Sequence, residues 1–157
     1  MNDALHKNIT DQRERILVLW QAAALPQNHG LPAKATAKTG MSVPIDQLLR
    51  ERIDALFEWL LASDDSNDPA DMAQARPHLR EICKVKAVLA QTPSEALGFI
   101  GELKGIIRLV LQEKELDDLD KRIDQLMLLA FDEYSDCRER LMEIKINEMR
   151  RLAGRLT

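Results

Sequence analysis

"PSEALGFIGELKGIIRLVLQ", residues 93–112, decides the fold class. Thr92 stands just before it, Pro93 takes the first helical position, and Glu95 falls three residues after the cap. That order is the signature of a helix N-terminus, with the Thr hydroxyl set to accept from the amide of residue 95. Behind the cap, Ala96, Ile100, Leu103, Ile107 and Val110 recur at steps of four and three, so one face of the helix is apolar. Gly98, Gly101 and Gly105 share a second stripe. Each costs roughly 0.5–1 kcal/mol against alanine in a helix interior. The stripe therefore predicts a helix crossing in which two backbones approach closely. A narrow pocket floored by bare backbone is the alternative.

Outward from this segment the chain keeps the same period. Ile9, Ile16, Leu17 and Trp20 mark a helix over about 8–24. Ile45, Leu49, Ile53, Leu56 and Leu60 mark another, with Pro44 in its first turn. Asp68-Pro69 opens a short helix ending near Pro77, and Pro77 opens a further one through Leu79, Ile82, Cys83, Val85 and Leu89. The stretch 26–40, with two prolines and two glycines, reads as a loop, and 63–69 as a polar break. Strand-type alternation never exceeds a few residues. The expectation is an all-α fold of five or six helices in a single domain spanning 1–157.

Composition narrows the function classes. The chain is 45% hydrophobic and 31% charged, which suits a folded core with a solvated surface. Its net charge of -4 offers no basic surplus for nucleic acid. The N-terminus lacks the apolar stretch of a secretion signal, and no apolar run is long enough for a membrane span. A cytoplasmic protein with no membrane insertion is expected. Cys83 and Cys137 sit in helical patterns and read as buried free thiols.

The last helix is the longest. Leu119, Ile123, Leu126, Ala130, Tyr134, Cys137, Leu141 and Ile144 form an apolar series whose doubled step of four is a stutter that shifts the seam. Met142, Ile146, Met149, Ala153 and Leu156 form a second series beside it. A helix from about 116 to 156 is about 60 Å long at 1.5 Å per residue, longer than a domain of this size is wide. Its end is expected to project, and the second series is a partner surface whose simplest cover is the same helix of a second copy, a homodimer. The rival is a bend that folds the end back onto Ile16 and Trp20. Charge also divides: 113–136 holds nine acids and three bases, 138–157 six bases and three acids. That division complements the helix dipole and would also suit an antiparallel partner.

Several motifs in order resemble one family. Lys86-Ala87-Val88, Pro93 to Phe99, Leu103-Lys104, Arg122-Ile123-Asp124, Ala130 to Tyr134, Cys137 to Glu139 and Asn147-Glu148 together resemble the N-terminal domain of RsbT co-antagonist proteins of the RsbRD type. The resemblance covers about residues 82–152. Upstream it is poor: Trp20 is the counterpart of a family Trp, Val43-Pro44 stands where the family has Asn-Pro, and Lys86 replaces the usual Arg. The resemblance implies a globin-like helical fold without haem, acting as a sensor domain in bacterial stress signalling. In longer relatives a phosphorylated STAS output domain follows. None is found in this sequence, so a stand-alone input domain acting by protein–protein interaction is expected.

Catalytic and metal chemistry find little purchase. His6, His29 and His78 have no metal-ligand spacing and no Cys partner. A globin haem ligand would belong near the end of the helix before Thr92, where Lys84 and Lys86 stand, while His78 lies at its start. A ligand- or haem-carrying globin-like protein is thus the alternative class, and no cofactor is expected. Tyr134 and Arg138 are expected to be satisfied together in a polar core, with Asp132 beside them. No phosphate loop or nucleophile elbow occurs, so a non-enzymatic protein is expected.

Overall fold

A computed structural model describes residues 3–25, 42–62, 69–116 and 118–155. Among them are six helices and no strand: α1 (Asp3–Asp11), α2 (Arg13–Ala24), α3 (Ser42–Leu61), α4 (Pro69–Val88), α5 (Pro93–Leu111) and α6 (Asp118–Arg155). The loop 26–40, Asp68 and Leu156 lie outside the described residues.

Local chemistry accounts for the element boundaries. Thr92 takes an extended conformation and its Oγ1 accepts from the Glu95 amide at 3.3 Å, with Pro93 at the first helical position. The preceding helix, α4, ends in a Schellman motif: the Gln91 amide donates to the Lys86 carbonyl at 3.2 Å and the Ala90 amide to the Ala87 carbonyl at 3.0 Å. Ala90 holds the left-handed position at φ 57°, where glycine is the usual occupant. Two expected boundaries change. The first helix is two, α1 and α2, broken at Gln12, which sits outside helical geometry at φ -106° and ψ 15°. The helix expected to end near Pro77 instead runs through it from Pro69 to Val88. Pro77 lies on the exposed face, where water can serve the carbonyl that its missing N–H leaves unpaired.

The helices close a ring around one core. α2 packs on α5, α5 on α6, α6 on α4, α4 on α3, and α3 returns to α2, with α1 resting on α2 and α5. Trp20, Phe57 and Phe99 fill the centre as tilted aromatic pairs 5.9 and 6.2 Å apart. The Trp20 indole N–H donates to the Phe99 carbonyl at 2.9 Å, so its one polar atom is satisfied. Both cysteines are buried and free.

The glycine stripe does not line a helix crossing. Among the described residues a methyl group added at Gly98 or Gly105 would meet nothing within 4 Å, and at Gly101 only the Met127 Cε at 3.5 Å. Gly101 and Gly105 are exposed. α5 meets its neighbours through Ala96, Leu97, Phe99, Ile100, Leu103 and Ile107, which leaves the glycines outside the packing.

Candidate functional site

α6 is one continuous helix of 38 residues with two environments. From Leu119 to Cys137 its inner face is built into the ring. From Met142 to Arg155 every residue is exposed. The helix does not fold back onto Ile16 and Trp20, both of which are covered by the ring itself. The projecting part is about 20 Å long at 1.5 Å per residue.

Of the expected partner residues, Met142, Ile146, Met149 and Ala153 all lie on this bare end, Met149 being 70% exposed. They share the face of α6 turned away from the core. Ile144 and Leu152, also exposed, continue the inner face beyond the point where α4 and α5 stop covering it. The stripe does not start at Met142. Leu128 and Phe131 stand on the same outer face within the body half, 68% and 54% exposed, and sequence reasoning overlooked them. Their signal was present: they precede Met142 at heptad-compatible steps.

Beneath the root of the projecting half lies the α4–α5 corner. The Tyr134 hydroxyl donates to the Gln91 carbonyl, which pins that corner to α6. Burial pushes the Tyr134 phenol above its ordinary value. Arg138 does not join a polar core with it. Its side chain is exposed, and its guanidinium lies 6.0 Å from the Tyr134 ring centre on the solvent side. Asp132 is exposed as well. A shallow cleft of about 120 Å³ opens here between Ala87, Ala90 and Gln91 on one side and Arg138, Leu141 and Met142 on the other.

The buried polar groups are others. Glu133, 3% exposed, receives Arg76 and Arg80 from α4, each at 3.2 Å. Arg122 donates to Asp71 Oδ2 at 2.6 Å and to the Trp59 carbonyl at 3.0 Å, and stacks 3.7 Å over the Trp59 ring. Lys86 is 2% exposed and has no carboxylate partner among the described residues: Nζ donates to the Ala24 carbonyl at 2.9 Å and lies 4.9 Å from the Phe99 ring centre. Burial pulls its ammonium down from 10.5 to about 8. It also pushes the neighbouring Cys83 thiol up to about 12. Arg122 and Glu133 could not be told from surface charges in the sequence, because each occupies a helical position flanked by other charges.

Among the described residues no group of three or more His, Cys, Asp and Glu side chains could hold a metal ion. His78 Nδ1 sits 3.2 Å from the Arg52 guanidinium, and desolvation followed by that charge lowers its pKa. Among the described residues no helix is long and apolar enough to cross a membrane. No protein family, curated protein or solved structure matches the chain.

Proposed function

We propose that the chain is a regulatory input domain of bacterial signal transduction, cytoplasmic and non-enzymatic, that works by protein–protein contact. The projecting end of α6 is its contact element, and a second copy is its first partner. One observation carries this reading: Met142, Ile146 and Met149 stand bare on a helix that leaves the body. An apolar stripe of that kind on a protruding rod favours association over exposure to water. The motif-level resemblance to RsbRD-type N-terminal domains supports the sensor role, and the ring of helices around one core accords with a globin-like arrangement.

The test is mass in solution. The wild-type chain is expected to run as a dimer by light scattering. Ile146→Glu with Met149→Glu is expected to give a folded monomer with an unchanged thermal midpoint at low concentration, since neither side chain contributes to the core. A wild-type protein that stays monomeric at high concentration would sink the reading.

A further inference from the structure

The outer face of α6 carries more than a patch at its tip. Leu128, Phe131, Ser135, Met142, Ile146 and Met149 form one stripe about 32 Å long, at 1.5 Å per residue, opposite the buried face. Its steps are three, four, seven, four and three. That order reads the same from either end. A twofold axis crossing the helix near residues 138 and 139 therefore sets Leu128 level with Met149 of a second copy, Phe131 with Ile146, and the small Ser135 with the large Met142. Every apolar level of one stripe then finds an apolar or small level on the other, and each projecting end lies against a body half.

Charge points the same way. Residues 118–136 carry six acids and two bases, and residues 138–155 six bases and three acids. A parallel pair brings like beside like along its whole length. An antiparallel pair sets the basic end of each copy beside the acidic body of the other, with Arg138 and Glu139 from both copies making a neutral middle level.

The glycines supply an independent observation. Gly101 is level with Met127, and Lys104 and Arg108 pair with Asp124 and Asp120. The open stripe of Gly98, Gly101 and Gly105 thus runs along the flank of the body half. Residues 146–154 of an antiparallel copy pass that flank. These glycines weaken α5, and among the described residues a Cβ on any of them would meet only the tip of Met127 beside Gly101, which leaves a low surface for the tip of a second helix.

We infer that two copies pair through the outer stripe of α6 in antiparallel register, centred on residues 138 and 139, with each projecting end seated on the other's body beside the α5 glycines. This rests on the dimer reading above and adds its polarity and register. Single cysteines placed at Leu128 and Met149 test it. Cys83 and Cys137 can stay, because burial raises both thiols and keeps them unreactive. Leu128→Cys and Met149→Cys proteins, one carrying a size tag, are mixed, allowed to exchange subunits and oxidised. A disulfide between the two variants in the mixture, with neither variant crosslinking to itself, is the expected result. Self-crosslinking of Met149→Cys alone would overturn the antiparallel register while leaving a dimer. No crosslink in a sample that light scattering shows to be dimeric would overturn the register by another route. A monomeric sample would overturn the dimer itself.

Discussion

The two halves of α6 are made of similar material and meet different fates. Residues 118–137 and 138–155 are both rich in leucine, isoleucine, methionine and charge, and both keep apolar residues at steps of three and four. The first half ends with Leu119, Ile123, Leu126, Ala130 and Tyr134 sealed in the ring. The second half ends with Ile144 and Leu152 in water on the same face. Apolar periodicity therefore states that a face wants cover without stating where the cover comes from. In the first half α4 and α5 provide it. In the second half those helices have stopped, and the demand passes to whatever meets the protein.

The sharpest way to break this contrast is to truncate one residue of the inner face in each half. Leu126→Ala should cost about 3 kcal/mol in a urea titration, since it removes a fully buried side chain and leaves a cavity. Ile144→Ala, on the same face beyond Cys137, should stay within about 0.5 kcal/mol at concentrations where the chain is monomeric. Comparable losses in the two variants would mean that the end of α6 is folded against the body in solution.

Charge separates the halves as well. The basic residues of the projecting end are solvated, whereas Lys86 in the body holds its ammonium in a dry site. Its pKa falls from 10.5 to about 8 in the folded chain. Below about pH 8 the folded state carries a buried cation that the unfolded state keeps in water. Between there and 10.5 the folded state has released the proton while the unfolded state still binds it, so the contribution of position 86 to stability rises with pH across that window. Wild type should gain about 2 kcal/mol relative to Lys86→Met between pH 7 and pH 9.5, read from paired urea titrations. A difference that stays flat over this range would show that the amine reaches solvent.

A smaller effect sharpens the comparison at the flank of the body half. Gly105→Ala meets open space, so it should stabilise the monomer by roughly 0.5–1 kcal/mol through helix propensity alone. A loss of stability in thermal melts would reveal a close packing contact at that stripe.

Much of the architecture was legible because it is written locally. Thr92, Pro93 and Glu95 announce the start of α5 through groups three residues apart, and that reading needs no knowledge of the rest of the chain. The absence of proline and the long 3–4 pattern after Leu116 announce a long last helix in the same way. Pro77 misled because a proline says only that one backbone hydrogen bond is missing. Whether the helix stops there depends on whether the residues on either side are held by neighbours, and α3 and α6 hold them. Gly98, Gly101 and Gly105 misled for a related reason. A small-residue stripe signals that something can come close, but among the described residues only the flexible tip of Met127 does, and no helix backbone.

By itself, then, the sequence determined the helical class, the cap at Thr92, the burial of both cysteines and the presence of more apolar faces on α6 than one small domain can cover. These are properties of residue type and period, and periods of three and four are set by the geometry of a single helix. The tertiary structure alone decided that Lys86, Arg122 and Glu133 are inside while Arg138 is outside, and that the cover over α6 runs out after Leu141. It also decided that Leu128 and Phe131 belong with Met142, Ile146 and Met149. Those outcomes depend on where α4 and α5 run and where they stop, and that is a property of how the helices pack together, which no single helix encodes.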